Sequence, residues 1–348
     1  MGIHDDDLQR VKIETDLAGV VSQYVALRKV GRRFSGLCPF HNEKTPSFSV
    51  NAEEGFFYCF GCQKSGDAIT FVREIEHLDF VGAVEWLANR LGIALRYTDA
   101  SDGATGKERK ELGDLLEKAA EFYHQTLRSG RAAGKVRSYL RSRGFDSETV
   151  EQFRIGYAPN QWDALASHLG VGTSKLEAAG LGRQGQRGGP IDFFRDRIMF
   201  PVFDTNGVVV GFGGRMLPDG QQPKYKNTPQ TRLYDKSKVL YGLHMAKKHI
   251  VEADEIVVCE GYTDVIGCFR AGIPRAVATC GTALTDDHVK LMTRFAKRIV
   301  IAFDADGAGK AAADRFYEWE DRHNAEVFVA AMPEGADPGQ LAEENLFQ

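Results

Sequence analysis

EIVVCEG (Glu255–Gly261) and RIVIAFDADGAG (Arg298–Gly309) decide the fold of this 348-residue chain. Each is a short apolar run that stops at acids and glycine: Ile256–Cys259 before Glu260, and Ile299–Phe303 before Asp304 and Asp306. Between them lie a helix-like segment (Tyr262–Ala271), another strand-like run (Arg275–Cys280) and a second helix-like segment opening at Thr285. Buried apolar strands alternating with helices predict a parallel α/β sheet. Ligands of such sheets bind beyond the carboxyl ends of the strands, where Glu260, Asp304 and Asp306 fall together. Three acids at one edge repel each other unless a cation sits among them. Hard divalent ions such as magnesium take oxygen ligands and keep waters and substrate phosphates. The acids therefore read as a magnesium platform for phosphoryl or nucleotidyl chemistry. The competing reading makes them solvated caps of the following helices, most naturally for Asp306 before Gly307.

Upstream, GLCPFHNEKTPSFSVNAEEGFFYCFGCQKSGD (Gly36–Asp67) carries a second metal pattern. Cys38 and His41 are separated by two residues, as are Cys59 and Cys62, and 17 residues lie between the pairs. Two such knuckles complete a tetrahedral site for one zinc ion. Four protein ligands leave no open position, so the zinc is expected to be structural. Ser47–Val50 and Phe56–Tyr58 read as a hairpin around a turn at 51–55. Of the rings Phe48, Phe56, Phe57, Tyr58 and Phe60, most are expected in the small core and one or two against a single strand of nucleic acid. Helices are expected over Asp16–Tyr24, from Asp67 through Ile75, and over Phe80–Leu91.

Thr98–Lys110 (TDASDGATGKERK) is small, polar and aperiodic, and reads as a flexible linker. Beyond it Leu112–Leu127 carries the apolar stripe of a core-facing helix, and a shorter helix holding Val136–Leu140 ends at Gly144. Phe193–Arg215 contains two strand-like runs joined at Asp204–Gly207, a hairpin signal. Arg195 and Arg197 alternate there with apolar residues, and Arg215 follows a double glycine. Pro223–Gly242 then interleaves Lys224, Lys226, Arg232, Lys236 and Lys238 with Tyr225, Asn227 and Tyr234. Basic and aromatic residues along an extended, turn-rich stretch suit a nucleic-acid backbone or a triphosphate; a solvated basic face would look the same.

The chain as a whole carries a formal net charge of −4, which alone says nothing about nucleic acid. Its distribution says more: −3 over residues 1–99, +8 over 100–249 and −9 over 250–348. A basic middle against an acidic end suits an anionic ligand held beside a cation site. No apolar run approaches the roughly 20 residues that span a bilayer. MGIHDDDLQR lacks the basic-then-apolar order of a signal peptide, so a soluble, cytoplasmic protein without membrane contact is expected. Cys259, Cys268 and Cys280 sit in apolar segments as small buried hydrophobes. The organisation expected is a zinc-binding domain over 1–97, a linker over 98–110, a basic mixed α+β subdomain over 111–249 and a catalytic α/β subdomain over 250–348.

Taken together, these motifs resemble a known family along nearly the whole chain. CPFHNEKTPSF and YCFGCQKSGDAITF are similar to the zinc-binding domain of bacterial replicative DNA primases of the DnaG type. FRDRIMFPVFD, GFGGR, PKYKNTPQT and LYGL resemble the basic subdomain of the same enzymes. CEGYTDVI and FDADGAG resemble the TOPRIM fold, which topoisomerases and some nucleases share. The resemblance implies zinc on Cys38, His41, Cys59 and Cys62. It implies one to three catalytic magnesium or manganese ions on Glu260, Asp304, Asp306 and Asp337, with Asp264 next to them. Nucleotide or template would be held by Arg215, Lys224 and Lys236, with Tyr225 and Asn227 in the same motif. The implied activity is synthesis of RNA primers from ribonucleoside triphosphates on single-stranded DNA. Two positions depart from the family pattern: Gly339 after Asp337–Pro338, where another acid is frequent, and Ser237 after Lys236, where glycine is usual. The C-terminal domain that contacts the replicative helicase in the family has no counterpart before Gln348, so helicase binding is not expected. A nuclease on the same fold, or a zinc ribbon that only binds single-stranded DNA, remain the alternatives.

Overall fold

The computed structural model describes residues 3–76, 78, 80–96, 102–186, 188–220, 222–303, 319, 320, 322, 323 and 325–330. The chain divides into two compact units, Met1–Glu108 and Arg109–Gln348. Asp304, Asp306, Asp337 and Gly339 lie outside the described residues.

In the first unit α1 (Asp5–Glu14) carries three acids in its first turn, where the helix dipole favours them. Asp7 is buried and receives the Arg96 guanidinium at 2.9 Å and the Arg96 backbone N–H at 2.6 Å, tying the two ends of the unit together. A short α2 (Leu17–Val21) follows. Strands β1 (Arg28–Val30), β2 (Arg33–Gly36), β3 (Phe48–Asn51), β4 (Phe56–Cys59) and β5 (Ser65–Gly66) form an antiparallel sheet in sequential order. Helix α3 (Ala68–Ile75) is capped by Asp67, whose carboxylate accepts the Thr70 N–H at 2.9 Å. α4 (Phe80–Leu91) closes the core with Val84 and Leu87. Of the five rings two are buried, two are exposed and Tyr58 lies between. Phe48 and Phe57 are fully buried and stack at 5.3 Å, and both meet Phe71. Phe56 and Phe60 stay 44% and 68% exposed, with Tyr58 edge-on to Phe60.

The linker expected over 98–110 is not what the structure shows from residue 102 onward: α5 spans Asp102–Ser129. Ala, Lys, Glu and Arg are strong helix formers. The amphipathic stripe from Leu112 onward supplies the packed nucleus from which the helix propagates backward. After a 3₁₀ turn at Arg131–Ala133 come α6 (Gly134–Ser142) and α7 (Ser147–Gln152). β6 (Gly156–Ala158), α8 (Ala164–Leu169), α9 (Thr173–Ala178) and a hairpin of β7 (Gly182–Gln184) and β8 (Pro190–Asp192) lead into the long hairpin β9 (Arg197–Phe203) and β10 (Val209–Met216). With β11 (Tyr225–Asn227) they make an antiparallel sheet in the order β11-β10-β9-β6.

The last sheet contains β12 (Leu240–Tyr241), β13 (Glu255–Cys259), β14 (Ala276–Thr279), β15 (Arg298–Ile301) and β16 (Glu326–Val329), ordered β12-β14-β13-β15-β16. The last four are parallel, as the alternating pattern predicts, while β12 joins antiparallel. Helices α10 (Leu243–Ala253), α11 (Tyr262–Arg270) and α12 (Asp286–Met292) connect them. β12, which lies before residue 250, pairs with β14 of this sheet. One core also draws on residues from both sides of position 250. Phe200 of β9 stacks on Tyr262 of α11 at 5.3 Å and 5°, and Tyr241 meets Tyr262 edge-on at 4.8 Å. Phe153 meets Phe269 at 5.4 Å. Gly213 of β10 makes room for this stack, since a Cβ there would lie 2.3 Å from the Tyr262 ring.

Candidate functional site

The two zinc knuckles converge. The candidate ligand atoms of Cys38, His41, Cys59 and Cys62 all lie within 4.8 Å of one another. Cys38 Sγ and Cys62 Sγ are 3.8 Å apart, as are Cys59 Sγ and His41 Nδ1. Two sulfurs at about 2.3 Å from one ion in a tetrahedron stand roughly 3.8 Å apart, so the donor set fits zinc in both identity and spacing. Backbone N–H groups of Phe40 and Cys62 point at the sulfurs of Cys38 and Cys59, each at 3.4 Å. Burial raises the Cys59 thiol, but the Ser47 hydroxyl and the Cys62 N–H outweigh it and hold the group down at about 6.

Glu43, which the spacing of ligands gives no reason to single out, organises this site. Its carboxylate lies 3.2 Å from His41 Nε2 and accepts hydrogen bonds from Cys38 N at 2.7 Å and from the Ser47 N–H and hydroxyl. Those bonds, the Ser47 hydroxyl first, hold its pKa below the usual carboxylate value. With Nε2 engaged by an acid, Nδ1 is the imidazole nitrogen left to face the metal. Glu43→Gln is expected to weaken zinc binding about 10- to 100-fold, read by competition against a chromogenic chelator. Unchanged affinity would make Glu43 a loop brace only.

At the second site Glu260 stands on the first residue after β13, at the carboxyl edge of the parallel strands, with its side chain exposed. The opposite edge of β13 is pinned by Glu255, which pairs with Arg275 at 2.7 Å and Arg298 at 3.0 Å. Asp264 is only 8% exposed, and its Oδ2 accepts the Gly261 N–H at 2.9 Å. It therefore fixes the turn that presents Glu260.

The basic residues divide into two groups. Tyr225 and Asn227 of β11 reach α11: the Tyr225 hydroxyl is 3.5 Å from Thr263 Oγ1, and Tyr262 donates to Asn227 Oδ1 at 2.9 Å. Asn227 Nδ2 donates in turn to the Cys280 carbonyl at 2.7 Å. Burial raises the Tyr225 phenol, Thr263 and Arg215 draw it down, and the charge of Asp264 pushes it up. Arg215 stands across the ladder from Tyr225. Lys224 lies 5.9 Å from the Tyr225 ring. Lys236 enters a turn in which Ser237 donates from both N–H and hydroxyl to Asp235, at 3.0 and 2.6 Å. Ser237 therefore caps the turn.

The second group surrounds β9. Arg195 lies 3.6 Å from the centroid of Trp162, an indole 62% exposed. Lys226 sits over Phe193 at 3.7 Å. Burial, then the charges of Arg197, Arg183 and Arg195, lower its pKa to about 8. Arg197, expected among the nucleic-acid ligands, is 5% exposed and donates to the carbonyls of Gly214 and Pro223 at 3.2 and 2.9 Å. On a strand whose every residue is buried, its guanidinium braces backbone and contributes only field. Trp162, in the loop between β6 and α8, has no sequence pattern that marks it.

Family models match the chain in order: the CHC2 zinc finger over residues 3–103, the N-terminal domain of the DNA primase catalytic core over 122–247 and the Toprim domain over 254–331. A DNA primase of Streptomyces coelicolor is 45% identical over 97% of this chain and 55% of its own length. The zinc-binding and RNA polymerase domains of the Aquifex aeolicus primase are 33% identical, cover 97% of this chain and 82% of that one, and superpose with a TM-score of 0.62. A DnaG primase catalytic domain bound to single-stranded DNA is 35% identical over 68% of this chain and 78% of that one, with a TM-score of 0.64. A zinc ribbon followed by a basic subdomain and a TOPRIM sheet defines the class. The chain belongs to the bacterial DnaG-type DNA primase family, and it spans a little over half the length of the curated relatives it matches.

Proposed function

We propose that the chain synthesises short RNA primers on single-stranded DNA, joining ribonucleoside triphosphates by metal-dependent nucleotidyl transfer during replication. The observation that carries this is the contact of Tyr225 and Asn227 with Thr263 and Tyr262, the first residues of the helix that follows Glu260, with Arg215 paired to Tyr225 across the ladder. A phosphate clamp on the antiparallel sheet would then face, across the start of α11, a metal-binding acid at the carboxyl edge of the parallel sheet. Glu260, Asp304, Asp306 and Asp337 would hold one to three magnesium or manganese ions, which lower the pKa of the primer's 3′ hydroxyl and offset charge on the reacting phosphate. Arg215, Lys224 and Lys236 would grip the triphosphate and neutralise developing charge. Asp264 keeps Glu260 in place. Trp162 and Arg195, an exposed ring under a guanidinium beside a cluster of cations, offer a base-stacking and phosphate-binding path for the template.

The zinc unit would choose where on the template synthesis starts. The relative with single-stranded DNA in its structure supports the template reading. No described helix is long and apolar enough to cross a membrane. The test is incorporation of labelled ribonucleotides on a single-stranded template in magnesium. Labelled RNA chains that need both template and metal are the expected result; cleavage of the DNA in their place would make the enzyme a nuclease.

A further inference from the structure

We infer that Tyr139 of α6 is a positioning residue for Arg215, holding the guanidinium so that its Nε edge meets a phosphate of the incoming nucleotide. The inference rests on the reading of Arg215 as a phosphate clamp. Helix α6 buries Val136 and Leu140, which leaves Tyr139 at the margin of the core, packed against it and half-exposed. There it meets the end of β10, where burial gives way to partial exposure at Arg215. Arg215 Nη1 donates to the Tyr139 hydroxyl, and the guanidinium carbon lies 5.4 Å from the centroid of the same ring. One tyrosine therefore fixes the fork by a hydrogen bond at one corner and by its ring.

The other edge of the fork is the telling part. Arg215 Nε is buried with no hydrogen-bond partner among the described residues, although buried donors are almost always satisfied. Nε and Nη2 are the parallel pair with which arginine binds two oxygens of a phosphate. With Nη1 engaged by Tyr139, that pair is set as a unit. It stands beside Tyr225, whose hydroxyl neighbours Thr263 on the turn after Glu260. An orphaned donor next to a candidate metal edge is what a site awaiting a phosphate oxygen contains. A lysine or an unbraced arginine would reach the same place with more rotamer freedom to lose.

The experiment compares the wild-type chain, Tyr139→Phe, Arg215→Ala and the double variant. Steady-state primer synthesis, equilibrium binding of ATP with manganese, and equilibrium binding of single-stranded DNA are measured for each. Tyr139→Phe keeps the ring in its packing and is expected to raise the KM for ribonucleotide about tenfold, as for loss of one charge-assisted hydrogen bond. The same change leaves kcat within about twofold, since a ground-state contact is lost. The double variant should bind ATP no more weakly than Arg215→Ala, because Tyr139 acts through the arginine. Equal losses in both backgrounds, or a lowered melting temperature that accounts for the defect, would overturn the inference. A loss confined to single-stranded DNA binding would overturn it too, by assigning the phosphate to the template. Should the wild type bind ATP with the coupling described yet polymerise nothing, the primase reading falls and this one stands. Absence of ATP binding in the wild type defeats both.

Discussion

Glu260→Gln is expected to abolish primer synthesis, lowering the rate by about a thousandfold or more, while zinc content and melting temperature stay at wild-type values. The substitution keeps shape and removes a formal charge from the edge where cations would gather. Losing a metal ligand or a charge aimed at the transition state costs orders of magnitude. The fold is insulated from the change. The Glu260 side chain is exposed, and the turn beneath it is held by Asp264 and the Gly261 N–H. The buried strand β13 supports that turn in turn, through Ile256 and Val258. Asp304→Ala is expected to behave alike. Synthesis retained in either variant at saturating magnesium would take the acids out of the mechanism.

The second large effect is on stability. Stripping zinc with a strong chelator is expected to unfold most of the unit Met1–Glu108 and to leave Arg109–Gln348 folded. A structural zinc contributes on the order of 10 kcal/mol to the fold that binds it. That exceeds what a unit of this size commonly holds in reserve. Without the ion, Cys38, Cys59, Cys62 and His41 lie within 4.8 Å of one another with only hydrogen bonds to Glu43, Ser47 and backbone N–H groups to hold them, at the end of β4 and against the start of β3. Phe48 and Phe57, the centre of the unit's core, sit on those strands. Hydrogen exchange reads the outcome: amides of β3 and β4 should lose protection while those of β13 and β14 keep it. Protection that survived in β3 and β4 would mean that the aromatic core suffices.

The parallel sheet was legible because its inner strands are almost wholly apolar, and a strand buried on both faces writes itself as an unbroken run. β13 and β14 show this, with nearly every residue buried. The zinc site was equally legible, since ligand identity and spacing are properties of sequence. β12 was not: two residues, Leu240 and Tyr241, carry no period, and their pairing with Thr279 and Ala278 is decided by the third dimension. The helical start of α5 was missed because Gly and Asp in 102–106 read locally as coil, while propagation from Leu112 outweighs them. Arg197 was misjudged for a related reason. Alternation with apolar residues says that a side chain lies on one face of a strand, but not that the face is covered. Glu43 and Tyr139 act through contacts with His41 and Arg215; the former is two residues away, the latter 76. Neither distance is marked by any repeat.

The stack of Phe200, Tyr262 and Tyr241, with Gly213 cleared beneath it, bears on how such proteins can be recombined. Exchanging the segment after residue 250 for that of a relative would transplant Tyr262 and Phe269 but leave behind Phe153, Phe200, Gly213 and Tyr241, their packing counterparts. A chimaera joined at the apparent seam inherits half of a jigsaw. One joined before β12, with positions 153, 200 and 213 matched to the donor, carries the whole.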